Sequence, residues 1–327
     1  MSNRSAPAVI ALVLLAACGG RRPPAAEFRV ALVTPGSIAD AAWNAGAYAG
    51  LQLIKDSMAV AISHQEARTP GAQEEALRAY AAQGYRLVFG HGFEFQQPAE
   101  RVSAEYPETV FIITSGERVQ GNVAPLVFRI EEGTFLAGMV AGAMTKSGKI
   151  GFIGGIELPP IQRGYEGWVA GARRTNAAVD PSLTYLNTFD DVAAGREAAL
   201  AMIQRGVDML HHNADEAAKG MFQAGKESPG VYLFGANADQ SDLAPERVLG
   251  SAIIDLPRAF LAVAREVEGG QFVAKVESFG LAGGVIRYLP NPLLERLVPE
   301  TVRTKVAAAA DSIIAGTLHP IPPDSGR

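Results

Sequence analysis

Short, mainly apolar runs alternate with longer amphipathic segments along most of the chain. The apolar runs are bounded by Gly, Pro or polar residues and have the length of buried strands. Between them, apolar residues recur with the spacing of one helix face. The pattern predicts strands at 28–33, 60–63, 86–89, 110–113, 123–128, 149–153, 182–186, 207–210, 231–235, 248–254 and 285–288. It predicts helices at 41–57, 71–83, 97–105, 131–145, 162–176, 192–204, 214–224, 257–268 and 299–315.

This alternation predicts an α/β fold, in which parallel sheets are flanked by helices. The run at 148–155 is apolar apart from Lys149, as in strands that are buried on both faces. About 300 residues follow the N-terminal segment, which exceeds the size of a single core, so two lobes are expected. We assign 28–126 with 255–277 to an N-terminal lobe and 127–254 with 278–318 to a C-terminal lobe. Ligands of open α/β sheets collect at the carboxyl ends of the strands, which predicts a binding site in a hinged cleft between the lobes.

The N-terminal segment has a different pattern. A short polar start with one Arg precedes an apolar run that ends near position 17, well short of the roughly 20 residues of a membrane-spanning helix. These features predict a secretory signal peptide at 1–17. Small residues precede Cys18, the only cysteine, as in the lipobox of bacterial lipoproteins, which predicts lipidation of its sulfur. Residues 18–27 would then be a flexible tether.

These features predict a protein of the bacterial cell envelope that is exported and anchored to a membrane through lipid. The alternative is a weak anchor segment that carries an incidental cysteine. The formal net charge is −5 and the Lys and Arg residues are dispersed, which argues against nucleic acid as a partner. No apolar run after the N-terminal segment is long and uninterrupted enough to cross a bilayer.

Several motifs follow one another in a specific order and spacing. They are Asp-Ala-Ala-Trp-Asn at 40–44, Phe-Arg-Ile-Glu-Glu-Gly-Thr-Phe-Leu-Ala-Gly at 128–138, Gly-Phe-Ile-Gly-Gly at 151–155, Gly-Trp-Val-Ala-Gly-Ala at 167–172 and Gly-Ala-Asn-Ala-Asp-Gln at 235–240. Together they resemble the basic membrane protein (BMP) family of ABC-transporter substrate-binding lipoproteins, over nearly all of the chain from residue 28. The resemblance implies a two-lobed type I periplasmic-binding fold and a small purine-like ligand, usually a purine nucleoside. It also implies a monomer without cofactor or catalytic activity, which works with an ABC permease and ATPase.

The first motif and the residues just after it carry four of the expected ligand contacts, Asp40, Trp43, Asn44 and Tyr48. Tyr48 stands where the family places an aromatic ring, and stacking of a base on such a ring is worth about 1–3 kcal/mol. Asn44 lies one helical turn before Tyr48, so both side chains are expected to face the cleft. Trp43 is interpreted either as a core anchor of its helix or as a cleft residue.

The other expected contacts come from later segments. In the first lobe they are Phe93 and Gln97, which follow the predicted strand at 86–89. In the second lobe His211 is expected to replace a second stacking ring, and Asn213 offers an amide to a base edge. Asn237 and Asp239 are expected to read the polar edges of the ligand.

Three positions depart from the family pattern in ways that bear on the ligand. Asn237 stands where the family has an Asp, Ile254 stands where it has a Lys, and Gln97 stands where it has a carboxylate. The first two changes remove two charge-assisted hydrogen bonds to ribose. We therefore expect a ligand that keeps the base but not necessarily the sugar: a purine nucleobase, a modified base or another small planar heterocycle.

The residues disfavour a metal site and an enzyme, and they leave a sensor role open. A metal site at His211 and His212 is disfavoured, because neighbouring residues of a strand point to opposite faces, and the other histidines are far apart in sequence. An enzyme is disfavoured because no P-loop, nucleophile elbow or carboxylate pair stands out, and Asp190 and Asp191 are interpreted as a helix cap. A lipid-anchored sensor for a planar heterocycle remains open, and neighbouring permease and ATPase genes would favour transport instead.

Overall fold

The computed structural model describes residues 28–40 and 42–321. The predicted signal peptide, Cys18 and the tether lie outside these residues. The described residues contain twelve strands: β1 (Arg29–Thr34), β2 (Ala61–Glu66), β3 (Leu87–His91), β4 (Val110–Thr114), β5 (Val123–Phe128), β6 (Lys149–Gly154), β7 (Asp180–Tyr185), β8 (Met209–Asn213), β9 (Tyr232–Asn237), β10 (Val248–Ile254), β11 (Glu277–Phe279) and β12 (Ile286–Pro290).

The same part of the chain contains nine α-helices, and none of them is long and apolar enough to span a bilayer. They are α1 (Trp43–Met58), α2 (Pro70–Ala82), α3 (Gln96–Ser103), α4 (Ile130–Met144), α5 (Pro159–Thr175), α6 (Val192–Gln204), α7 (Ala218–Glu227), α8 (Leu256–Glu268) and α9 (Glu300–Ile314).

The strands form two six-stranded sheets with matching topology. The first has the order β2-β1-β3-β4-β5-β11 and the second the order β7-β6-β8-β9-β10-β12. The pairings are parallel except that β12 runs antiparallel to β10. Helices flank both sheets; for example, the Phe260 ring of α8 stacks on Phe89 of β3 at a centroid distance of 4.1 Å. The predicted α/β class with two lobes is confirmed.

Helices α4 and α5 pack closely because glycines of one lie against the backbone of the other. A side chain at Gly138 would overlap the carbonyl oxygen of Trp168, and one at Gly171 would overlap that of Phe135. The fully buried Trp168 ring then fills the space between α5 and the second sheet. This close approach explains the glycines of the motifs at 128–138 and 167–172, which serve packing in the second lobe.

The chain crosses between the lobes three times, from β5 to α4, from β10 to α8 and from β11 to β12. The crossings are joined by backbone hydrogen bonds from Arg129 to Phe279 (2.8 Å) and from Asp255 to Val285 (2.7 Å). The buried Glu132 carboxylate adds a third connection, because it accepts from the backbone of Leu281 at 2.6 Å.

The ends of β5 and β11 differ slightly from the lobe boundaries that were predicted from the sequence. β5 and β11 pair in parallel as far as Phe128 and Phe279, and both residues belong to the first sheet. The sequence boundaries at 126 and 277 therefore fall inside paired strands. The reason is that both strands continue to the point of crossing, where Arg129 bonds to Phe279.

Candidate functional site

A cavity of about 780 Å³ lies between the two lobes. Its walls come from the loops at the carboxyl ends of the strands in both sheets, including Pro35, Phe93, Phe189, Asn213 and Asn237. This is where ligands of open α/β sheets bind, and the volume is within the usual range of small-molecule sites.

The N-terminus of α1 forms one wall of the cavity, and Asp40 holds it in place. The Asp40 carboxylate accepts hydrogen bonds from the backbone N–H groups of Ala42 (3.0 Å), Asn44 (2.7 Å) and Ala45 (2.9 Å). These are the amides that the first turn of a helix leaves without partners, and they balance the negative charge of the carboxylate. Asp40 therefore positions Trp43 and Asn44 at the cavity wall, and its own oxygens are already occupied.

The Trp43 ring stacks on a neutral histidine on the side away from the cavity. The rings of Trp43 and His91 stack at a centroid distance of 4.1 Å, and His91 Nε2 lies 3.1 Å from the carbonyl oxygen of Trp43. The other ring nitrogen of His91 hydrogen-bonds to the Thr114 hydroxyl at 3.0 Å. Burial lowers the pKa of His91 to about 3, so the imidazole is uncharged at neutral pH. Trp43 is thus held as a fixed aromatic surface that borders the cavity.

The second lobe contributes its own aromatic ring, Phe189, from the loop between β7 and α6. Phe189 packs directly over Gly155, and any side chain at that glycine would overlap the ring. Gly155, directly after β6, is therefore needed to seat Phe189. Trp43 and Phe189 give the cavity one aromatic surface from each lobe.

Among the described residues, five carboxylates and only two cations line the cavity. The carboxylates are Asp40, Glu94, Asp190, Asp215 and Glu216, and the cations are Arg68 and Lys219. Arg68 of the first lobe pairs with Asp190 of the second at 2.9 Å and with Glu66 at 2.5 Å. Lys219 of the second lobe pairs with Glu216 at 2.6 Å and donates to the carbonyl oxygen of Ala39 in the first lobe at 3.4 Å. These cross-lobe contacts hold the lobes together at the rim of the cavity.

Asp215 is the most strongly perturbed acid of the cavity. It follows β8 in a left-handed backbone conformation, with a φ of 44°, and only 9% of its surface is exposed. Burial raises the pKa of its carboxyl well above the ordinary value, and the neighbouring Asp40, Glu94 and Asp190 raise it further. The amide of Asn237 opposes this effect by donating to Asp215 at 3.4 Å. Burial also raises the pKa of Glu94.

Two amide oxygens of side chains that line the cavity are enclosed by the protein and have no hydrogen-bond partner within the described residues. They are Oδ1 of Asn44 and Oε1 of Gln73, and both side chains are more than nine-tenths buried. A buried acceptor without a donor is costly, so it is usually satisfied by water or a ligand.

In the described part of the chain, His, Cys, Asp and Glu side chains form no group of three or more suited to a metal ion.

Six of the ten ligand contacts expected from the sequence line the cavity: Asp40, Trp43, Asn44, Phe93, Asn213 and Asn237. The other four lie elsewhere, each for a distinct physical reason. Tyr48 is one turn beyond Asn44, about 6 Å further along the axis of α1, and its ring packs edge-on against His64 at 5.4 Å. Gln97 lies on the exposed face of α3. The residue of this segment that brings a carboxylate to the cavity is Glu94, three residues earlier.

His211 and Asp239 are the other two residues that do not reach the cavity. His211 is fully buried two residues before the end of β8, where the rings of Phe152 and Trp168 cover it. The expected sandwich of Tyr48 and His211 is therefore not formed by these side chains. Asp239 is exposed in the turn after β9, where it accepts from the backbone and hydroxyl of Ser241 at 3.0 and 2.7 Å.

The sequence interpretation missed several residues of the cavity, notably Phe189, Asp190 and Asp215. Phe189 precedes a pair of acidic residues that was interpreted only as a helix cap. Asp191 does cap α6, since it accepts from the backbone of Ala194 at 3.0 Å, but Asp190 turns towards Arg68 of the other lobe. The aromatic residue beside this cap was the available signal for the second ring.

Comparisons with known proteins agree with this fold. The family model described as Bmp, ABC transporter substrate-binding protein PnrA-like, matches residues 28–318. Basic membrane protein A2 of Borrelia garinii subsp. bavariensis is 30% identical over 297 residues, 88% of this chain and 86% of that protein. The ABC transporter nucleoside-binding protein BmpA of Lactococcus lactis subsp. cremoris is 28% identical and covers 96% of both chains.

A solved structure shows the same fold over nearly the whole chain. The solute-binding protein of an ABC transporter system from Aeropyrum pernix K1 superimposes with a TM-score of 0.83 and 24% identity, over 91% of this chain and 94% of that one. The family model spans all of the elements that form the two sheets and the cavity. The chain therefore belongs to the Bmp family of ABC-transporter substrate-binding proteins.

Proposed function

We propose that the protein captures a purine-type ligand, a nucleobase or a nucleoside, in the cavity between its lobes and delivers it to an ABC importer. The observation that carries this proposal is the pair of aromatic surfaces, Trp43 from the first lobe and Phe189 from the second, that line one cavity. A flat π-system between two such rings gains stacking energy on both faces, at about 1–3 kcal/mol for each ring.

The polar groups around these rings suit the edges of a base. Asn44 lies next to Trp43, while Asn213 and Asn237 project from the ends of neighbouring strands β8 and β9. An amide both donates and accepts, as the edge of a purine does, so each of these residues is able to make a paired contact. The relative from Lactococcus lactis, which is named as nucleoside-binding, supports a ligand of this chemistry.

The sugar side of a nucleoside has weaker support. Ile254 lines the cavity as an apolar group, and the amide of Asn237 is partly engaged by Asp215. Neither residue offers the charged hydrogen bonds that hold ribose hydroxyls strongly. We therefore propose that recognition depends mainly on the base and that the sugar contributes less.

The place of action follows from the N-terminal pattern together with the family. We propose that residues 1–17 direct export, that Cys18 carries the lipid, and that residues 18–27 tether the lobes near a permease. The protein would act there as a monomer and without catalysis. Metabolic labelling with a fatty acid, comparing the natural protein with Cys18→Ala, tests the anchor independently of the ligand.

Calorimetric titration with a panel of purine nucleobases and nucleosides tests the ligand. Protein that has been unfolded and refolded to remove co-purified ligand should bind at least one of them, and Trp43→Ala should weaken that binding. Tyr48→Phe is the matched aromatic control, because Tyr48 packs on His64 rather than in the cavity. The proposal fails if no purine binds, and the weaker role of the sugar fails if guanosine binds far more tightly than guanine.

A further inference from the structure

We propose that the cavity selects a ligand that carries a positive charge, a cationic planar heterocycle whose charge is placed against Asp215 and Glu94. This inference rests on the proposed function, since it names the class of base that the same cavity accepts. It starts from the imbalance of five carboxylates and two cations along the cavity wall.

Most of the charges around the cavity are already balanced by the protein. Arg68 is shared between Glu66 and Asp190, and Lys219 pairs with Glu216. Neither cation is therefore available as a dedicated partner for another acid.

Asp40 is balanced in a different way, by the three backbone N–H groups at the start of α1. A carboxylate at a helix N-terminus is stabilised by the exposed amides and by the helix dipole. Asp40 thus needs no positive charge from a ligand.

Asp215 and Glu94 are left without an equivalent partner in the described part of the chain. The side chain of Asp215 receives one hydrogen bond, from the neutral amide of Asn237 at 3.4 Å, and the charges that act on it are those of other acids. No ion pair of the described residues includes Glu94 either. A buried carboxylate is stable in its charged form only when a cation or several donors face it.

Another residue of the cavity wall favours the same kind of ligand. Ile254 stands where the family has a Lys, so this position adds no positive charge to the wall. A ligand that supplies N–H groups and a positive charge satisfies this wall, whereas a ligand rich in acceptors or negative charge is repelled.

Two isomeric nucleosides provide a sharp test. 1-Methyladenosine and N6-methyladenosine are isomers as neutral molecules, but at neutral pH the base of 1-methyladenosine binds a proton and carries a positive charge, whereas N6-methyladenosine stays neutral. We expect the natural protein to bind 1-methyladenosine at least about tenfold more tightly than its neutral isomer. Asp215→Asn should reduce this preference about tenfold, because it removes the negative charge and keeps the size of the side chain.

The comparison of the two proteins separates charge from shape. The methyl groups occupy different positions, but this steric difference is the same in both proteins and cancels when their preference ratios are compared. Asn also accepts the left-handed backbone at position 215, so the variant is expected to fold. Asp239→Asn removes an exposed carboxylate outside the cavity and should leave the ratio unchanged.

Each result has a clear meaning. Equal or tighter binding of N6-methyladenosine by the natural protein overturns the charge preference and leaves the proposed function intact. An unchanged ratio in Asp215→Asn also overturns it. If neither isomer nor any purine of the wider panel binds, the proposed function fails and this inference fails with it.

Discussion

Arg68 of the first lobe and Asp190 of the second form an ion pair of 2.9 Å across the mouth of the cavity. Both side chains are more than half exposed, at 52% and 59%. An exposed pair of this kind contributes about 0.2–1 kcal/mol, which is too little to hold the lobes together alone but enough to shift a balanced equilibrium between open and closed forms.

Removal of this pair is expected to weaken ligand binding modestly. Arg68→Gln should raise the Kd by a factor of about five or less, the equivalent of 1 kcal/mol, by favouring the open form. The difference from the natural protein should shrink at high salt, because exposed charges are screened. Titration calorimetry at low and high salt measures this, and Arg78→Gln, which loses ion pairs remote from the cavity, is the control. A difference that persists at high salt contradicts the explanation.

The two aromatic surfaces should contribute separately to affinity. Trp43→Ala and Phe189→Ala are each expected to cost about 1–3 kcal/mol of binding free energy, since each removes one stacking surface from the base. Tyr48→Phe should change the affinity very little. If Tyr48→Phe and Trp43→Ala weakened binding equally, the assignment of the stacking ring to Trp43 would be wrong.

Asp215 should make the stability of the empty protein depend on pH. Its pKa is raised in the folded protein above the ordinary value of 3.8, by burial and by Asp40, Glu94 and Asp190, while Asn237 acts in the opposite direction. The folded state therefore keeps this proton at a pH where the unfolded chain has lost it, and stability falls as the pH rises from 3.8 through the folded pKa.

Asp215→Asn removes this contribution to the pH dependence. The variant should unfold at a higher temperature than the natural protein at about pH 8, with a smaller difference at about pH 5. Thermal unfolding of ligand-free protein at both pH values measures the effect, with Asp239→Asn as the control. A variant that is less stable than the natural protein at the higher pH would show that Asp215 is well compensated in the empty cavity.

Glu132 is expected to matter more for stability than for ligand contact. It accepts from the backbone of Leu281 at 2.6 Å and pairs with Arg129 at 2.5 Å. Glu132→Ala leaves a buried N–H group unsatisfied and should cost about 1–3 kcal/mol of unfolding free energy. Denaturant unfolding measures this, with Glu227→Ala, which loses only an exposed ion pair, as the matched control. Equal losses in the two variants would contradict a special role for Glu132.

Periodicity predicted most of the fold because it is a local property. The predicted strand at 248–254 and helix at 192–204 agree with β10 and α6 residue for residue, since their apolar pattern and flanking residues determine them. The boundaries near the crossings were less accurate, because the pairing of β5 with β11 joins segments about 150 residues apart, a contact that no local pattern reveals.

The cavity was predictable only in part, for a related reason. Trp43 and Asn44 begin a helix that starts at the cavity, and this position follows from the motif. Whether the other predicted residues reach the cavity depends on how far each lies along its helix or strand. Tyr48 is one turn too far along α1, and His211 is two residues short of the end of β8. The acids that raise the pKa of Asp215, namely Asp40, Glu94 and Asp190, come from three separate connections, so its unusual environment exists only in the folded protein.

The three crossings between the lobes limit how the lobes are able to move. Two bodies joined by one strand of chain swivel in any direction, but these crossings are joined by the bonds from Arg129 to Phe279 and from Asp255 to Val285. We expect such a connection to resist twisting and sliding and to leave one soft rotation, a hinge about the crossings. The angle between the lobes would then be a single variable set by the occupied cavity, and in the proposed function the permease would need to sense only that angle.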